Sequence, residues 1–301
     1  MKWRKLGQIF KVSSQDSLTI SHASNPLAIS MGGGKFRIFF SARDCSNRSS
    51  VTYVDLNLDN LEITKDFQNA VFSYGPEDSF FSHGVSIGNC YESEGKSYIL
   101  FMGWQIRGGN HWRGDIGRLQ LIDNKELILD PSTTFLSTDN EDPISLSYPW
   151  VIYHDGKYKM WYGSTISWTS ENGEMIHVIK YATSNDGISW QKHGLAIPYE
   201  IGIAQAFSRP VVIIENDIYH MWYSYRSGDG TKYRVGYSQS SDGVEWTRKH
   251  ELVGIDVSED DWDSEMICYP FVFDYSGNRY MLYNGNGYGK TGFGIAILEQ
   301  D

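Results

Sequence analysis

A chain of 301 residues with a net charge of −11 offers no basic face for a polyphosphate, which excludes nucleic acid as a partner. Aromatic residues make up 15% of it, including 10 Trp and 20 Tyr, a usage that suits half-buried strands and sugar-binding clefts alike. No apolar run reaches the length of a membrane span, and Cys45, Cys90 and Cys268 are too scattered for a disulfide framework or a zinc site.

Met1 to Gly7 is basic without the apolar core of a signal peptide, which predicts a cytoplasmic protein. Trp3 to Val12 reads as a first β-strand. From Asn25-Pro26 onward one unit recurs: a short strand headed by proline, a turn, and a second strand ending in aromatic residues. Its clearest copies run from Tyr148 to Tyr162, Arg209 to Tyr223 and Tyr269 to Tyr283. The starts at 26, 84, 149, 210 and 270 lie roughly sixty residues apart, close to the spacing of propeller blades. The copy at His83-Gly84 lacks the proline.

The pattern predicts an all-β fold: a five-bladed β-propeller of four-stranded antiparallel blades around a central channel. Residues 1–301 form one domain, and the N-terminal strand closes the last blade. In the first unit Pro26–Ser30, Phe36–Ala42 and Ser50–Leu56 are strands. The second carries a polar, glycine-rich loop from Gln105 to Asp115, as functional loops often are. The third and fourth share Ser184-Asn185-Asp186-Gly187-Ile188-Ser189-Trp190 and Ser240-Ser241-Asp242-Gly243-Val244-Glu245-Trp246. These are outer hairpins with an Asp-Gly turn, structural rather than functional. The fifth ends in the glycine-rich stretch Tyr283 to Gly292, which lies between strands rather than before a helix and so fails as a phosphate loop.

Innermost strands of such a disc line the channel, so residues at equivalent strand ends converge at its mouth. Ahead of the first strands stand Asn25, His83, Tyr148, Arg209 and Tyr269. The second strands exit at Arg43, Gln105, Thr165, Arg226 and Asn286, preceded in two units by Trp104 and Tyr225. His22 sits at a strand start, and Asn284 and Asn286 sit in the glycine-rich stretch. All are candidate ligand-binding groups. Trp104, Trp112, Tyr148, Tyr225 and Tyr269 are stacking platforms for sugar rings, and Arg43, Arg209 and Arg226 form a cationic cluster suited to a carboxylate or phosphate. No metal set has ligand spacing, no Gly-x-Ser-x-Gly elbow occurs, and no cofactor is expected.

The five repeats, with Ser41-Ala42-Arg43-Asp44 near the start and Tyr283-Asn284-Gly285-Asn286-Gly287-Tyr288-Gly289-Lys290-Thr291-Gly292 near the end, resemble a known superfamily. It is the five-bladed propeller superfamily of arabinanases, β-xylosidases, invertases and levansucrases, and the closest resemblance is to members found with bacterial surface-polysaccharide genes. The resemblance implies cleavage or transfer of a glycosidic linkage with carboxylates at the channel mouth, and the chain is expected to act as a monomer. Glu265, among apolar neighbours that would raise its pKa, is the candidate acid. Asp44 is its ionised partner, and Asp142 plays a supporting role. The family places its first acid in an Asp-Pro step, where this chain has Asn25-Pro26, and an amide is neither base nor nucleophile. Two alternatives therefore stand beside hydrolysis: a non-catalytic carbohydrate-binding propeller, and a sugar-transferring enzyme using an activated sugar.

Overall fold

The computed structural model describes residues 1–106, 108 and 111–299. Strand β1 (Trp3–Phe10) precedes four antiparallel meanders of four strands each. They are β2 (Ser21–Gly32), β3 (Lys35–Arg43), β4 (Ser49–Asn57), β5 (Glu62–Phe72); β6 (Gly84–Ser93), β7 (Lys96–Ile106), β8 (Trp112–Ile122), β9 (Glu126–Leu129); β10 (Leu146–His154), β11 (Lys157–Ser167), β12 (Ile176–Ser184), β13 (Gln191–Leu195); and β14 (Ala206–Glu215), β15 (Ile218–Arg226), β16 (Arg234–Ser240), β17 (Thr247–Arg248). The last sheet is β18 (Cys268–Tyr275), β19 (Asn278–Asn284) and β20 (Phe293–Leu298), with β1 added antiparallel to β20. Single parallel bridges, Ser49 to Gly84 and His177 to Ala206, join the first two meanders and the next two. The fold is nearly all-β.

Strands β2, β6, β10, β14 and β18 each pack against the next, and β18 returns to β2, so they close a ring. Each turns into its neighbour through two successive left-handed residues: Gly33-Gly34, Glu94-Gly95, Asp155-Gly156, Asn216-Asp217 and Ser276-Gly277. Hairpins of type I′ have positive φ at both positions, and their backbone twist matches the right-handed twist of the strands.

Every ring strand carries a bulge at one register, two residues opposite one. The pairs are Asn25-Pro26, Gly88-Asn89, Tyr148-Pro149, Arg209-Pro210 and Tyr269-Pro270. They face Phe40, Leu100, Tyr162, Tyr223 and Tyr283, all buried. Four of the first residues, Asn25, Tyr148, Arg209 and Tyr269, are left-handed non-glycine residues with φ of 58, 33, 51 and 53°. The proline that follows disfavours the right-handed helical region at that position.

This register corrects the phase of the second unit. Its counterpart of Asn25-Pro26 is Gly88-Asn89, not His83-Gly84, and the bulges then lie 63, 60, 61 and 60 residues apart. By the same register Gly103, not Gln105, corresponds to Arg43 and Arg226. Proline is dispensable here because Asn89 binds the next unit through its side chain. Its Nδ2 donates to Val151 O at 2.9 Å and its Oδ1 accepts from Val151 N at 3.1 Å.

The outer hairpins also have a physical basis. Asp186 Oδ1 accepts from the amides of Ile188 and Ser189, and Asp242 Oδ1 from those of Val244 and Glu245. Trp246 and Trp161 both donate to Gly243 O, at 3.0 Å each, in the core between the third and fourth meanders.

Asn89→Ala strands one amide and one carbonyl of Val151 in the interior and should cost about 1–3 kcal/mol in urea unfolding. A change below about 0.5 kcal/mol would show that the inter-unit lock is unimportant.

Candidate functional site

A cavity of about 470 Å³ opens where the second strands leave the ring, and every unit contributes to its wall. The first supplies Arg43 and Asn47. The second supplies Ser86, Met102, Trp104, Ile106 and Trp112, and the third Ser147, Tyr148, Met175 and His177. Ser208, Arg226 and Tyr233 come from the fourth, Tyr269 and Tyr288 from the fifth. Two indoles thus face four phenols, with arginines at the rim, and no Asp or Glu is among these lining residues. A second, wide depression of about 510 Å³ lies at the outer edge of the fourth meander by Trp246, Arg248 and His250, away from the ring.

Of the residues singled out from the sequence, Arg43, Trp104, Trp112, Tyr148, Arg226 and Tyr269 meet in this cavity. Tyr148 and Tyr269 face each other across the ring with centroids 5.4 Å apart. Arg209, fully buried behind them, reaches across the ring instead. Its guanidinium donates to Tyr269 O at 2.7 Å and Pro26 O at 2.6 Å, and burial lowers its pKa to about 9.

The three candidate acids do not meet there. Asp44 is engaged by its own turn: it accepts from Ser46 N at 2.9 Å, Arg48 N at 2.8 Å and Arg48 Nε at 2.9 Å. That turn sets Arg43 and Asn47 in the cavity wall, so Asp44 positions rather than reacts. Glu265 is exposed rather than enclosed by apolar neighbours, ion-paired with Lys232, and does not line the cavity. Asp142 is fully buried and accepts from Tyr162 Oη at 2.9 Å, Ser164 Oγ at 2.6 Å, Lys180 Nζ at 2.8 Å and Lys192 Nζ at 2.6 Å. Burial alone would raise its pKa, but the bonds from Lys180, Lys192 and Ser164 prevail and hold it below the usual carboxylate range. Asp263 repeats the device in the last unit, with Lys5 at 2.6 Å and Tyr283 Oη at 3.1 Å.

The remaining candidates support the ring or the rim. Asn25 N donates to Asn284 Oδ1 at 2.8 Å, and Asn284 Nδ2 donates to Ala23 O at 2.7 Å and Gly292 O at 2.9 Å, closing the last unit onto the first. Asn286 Oδ1 accepts from the amides of Glu265 and Met266. His83 lies beside Trp104, centroids 5.9 Å apart, and its Nδ1 accepts from Ile106 N at 3.4 Å. His22 is half-buried near Arg43, and burial, then the charges of Arg43 and Lys290, lower its pKa to about 4. Tyr225 is not a platform here, because it stacks on His250 at 3.9 Å, outside the cavity. In the loop from Gln105 to Asp115, Arg107, Gly109 and Asn110 lie outside the described residues. Its His111 stacks on Trp168 at 4.7 Å.

Tyr233, Tyr288 and His177 line the cavity without having been singled out. Tyr288 was within reach of sequence reading, lying in the glycine-rich stretch, whereas Tyr233 and His177 have no flanking pattern. His177 joins Ser147 Oγ at 2.6 Å through Nε2 and Thr165 Oγ1 at 2.8 Å through Nδ1, a chain that resembles a nucleophile and its base. Although both stand in the wall, Ser147 and His177 are only 0% and 2% exposed, so no acyl group reaches the serine. The chain ties three strands together over Gly163, where a Cβ would come within 2.0 Å of Ser147 Oγ. Among the described residues no cluster of three His, Cys, Asp or Glu forms a metal site.

No family model matches the chain. The uncharacterized protein Rv1502 of Mycobacterium tuberculosis is 40% identical over 306 residues, covering 99% of this chain and 100% of that protein. Among solved structures, a glycoside hydrolase matches 97% of this chain and 90% of its own with a TM-score of 0.75 and 15% identity. The endo-arabinase of Bacteroides thetaiotaomicron matches 95% and 98% with a TM-score of 0.66 and 14% identity. Identities this low establish fold alone: a β-propeller of the glycoside hydrolase type.

Asp142→Asn removes the buried carboxylate that Lys180 and Lys192 share, leaving Lys192 only its pair with the exposed Asp139, and should cost about 3–5 kcal/mol. Because the folded pKa of Asp142 is depressed, its contribution is present above the unfolded value of about 3.9 and lost as pH falls through the folded one. Urea midpoints of the wild type should therefore fall more steeply below about pH 4 than those of the variant. Parallel curves would contradict this assignment.

Proposed function

This chain belongs to the family of the uncharacterized mycobacterial protein Rv1502, and we propose that it is a five-bladed propeller that binds a carbohydrate at its channel mouth without hydrolysing it. The five-blade reading is supported by the closed ring of strands and by the four-stranded antiparallel run on each. Carbohydrate as ligand is supported by the neighbours, which include glycoside hydrolases, and by the cavity's chemistry.

One observation carries the choice of binding over cleavage. Glycoside chemistry needs two carboxyl groups about 5 to 10 Å apart around the scissile bond. The described residues that line the cavity include none, and Asp44, Glu265 and Asp142 are engaged by Arg48, Lys232 and a lysine pair. An amide side chain stands at position 25, where it is the main-chain N–H that is bound into ring closure, to Asn284 Oδ1. What the cavity retains is what sugar recognition uses: aromatic faces for the C–H surfaces of a pyranose or furanose, ringed by a few polar groups. Its volume falls within the range of small-ligand sites, enough for one or two sugar units.

Calorimetry on a glycan retained from an array tests the reading. Trp104→Ala and Trp112→Ala should each weaken binding about tenfold through loss of stacking. Glu265→Gln, at an exposed residue, should change it by no more than about twofold. Unchanged affinity in both tryptophan variants, with loss in Glu265→Gln, would return the site to the acid.

A further inference from the structure

The arginines around the cavity meet no carboxylate among the described residues of its wall. Arg43 and Arg226 occupy equivalent register positions at the ends of β3 and β15, and both line the wall. Among the described residues Arg43 forms no ion pair, and its Nη1 donates to the neutral Asn47 Oδ1 at 2.7 Å. Arg226 gives Nη2 to Glu174 at 2.8 Å, a half-exposed carboxylate outside the cavity wall. Its Nε is buried and has no acceptor among the described residues.

Behind them, Arg209 is 2% exposed and rests on two main-chain carbonyls with no carboxylate. Tyr269, whose carbonyl it holds, lines the cavity, as does the preceding Ser208. A buried cation compensated only by dipoles is costly, and so is a buried N–H without an acceptor. The chain as a whole carries −11, yet this one concave surface has two arginines and no acid among its described lining residues. Such a local inversion of charge draws anions inward.

From this set, and resting on the reading of the cavity as a carbohydrate site, we propose that the bound sugar carries an anionic substituent, a phosphate or a carboxylate, taken up by Arg43 and Arg226. The guanidinium fork suits either group, binding two oxygens at once. Arg226 Nε supplies a donor that nothing else in the described chain uses. The fixed charge of Arg209 favours the anion from behind without touching it, and the aromatic faces hold the sugar. Asp44 enters through the turn it caps, which fixes where Arg43 projects.

The test uses the full chain and three probes: inorganic phosphate, glucuronate and glucose. Trp104 and Trp112 in the wall report each by fluorescence, and an array of neutral, uronic and phosphorylated glycans is read in parallel. Saturable binding of phosphate or glucuronate is expected, whichever is tighter naming the substituent. Arg43→Gln and Arg226→Gln should each weaken it about tenfold or more, with Arg43→Lys, which keeps charge but not the fork, falling between. Affinity should also fall as salt rises. Circular dichroism of the variants confirms that their fold is intact. Array binding confined to neutral glycans, unchanged in both glutamine variants, would overturn the anionic group and leave the carbohydrate reading standing. Retention of no glycan, neutral or charged, together with silence to all three probes, would overturn both.

Discussion

The constraint on which the rest depends is the two-residue bulge that each ring strand carries at one register. It places a left-handed residue ahead of a proline in four units and sends that residue's side chain or main chain across the ring. Arg209 reaches carbonyls of the first and fifth units, and Tyr148 meets Tyr269. Bulges re-aim side chains and are enriched beside functional sites, and non-glycine residues with positive φ cost free energy that the surroundings must offset. Here the surroundings are buried aromatic or aliphatic side chains directly opposite, from Phe40 to Tyr283. The cavity is the space above this ring.

The distribution of charge follows from how the ring is braced. Asp142 and Asp263 each bind a tyrosine opposite a bulge and one or two lysines, tying the lead-in loop to its sheet. Asp115 is held by Arg113 and Ser137, and Asp55 by Arg37. These buried carboxylates are structural, and Asp142 is among the acids that the sequence placed at the channel mouth. Arg43 has no ion pair among the described residues and Arg226 pairs with Glu174 outside the cavity wall, so the scaffold of a glycosidase-type fold presents a surface of the opposite sign to the one glycoside cleavage requires.

Much of this was legible in the sequence. Proline-headed strands, paired turn residues and Trp-Tyr strand ends identified the repeat and the all-β fold. The second unit was placed five residues early because Asn89 does with a side-chain amide what proline does elsewhere, and an isolated asparagine carries no signal. Alternation along a strand explains the mixed fate of the platforms: Arg226 faces the cavity, so its neighbour Tyr225 faces away onto His250. Glu265 stood in a loop without periodicity, where spacing could not show that it points to solvent and Lys232. Tyr233 enters from a loop whose course only the fold reveals.

The most direct test of the central claim is the release of reducing ends from glycans that the purified chain retains on an array. Bound glycan that stays intact over long incubation is the predicted result. Steady release, abolished by Glu265→Gln or Asp44→Asn in folded protein, would contradict it and restore a carboxylate mechanism to this propeller.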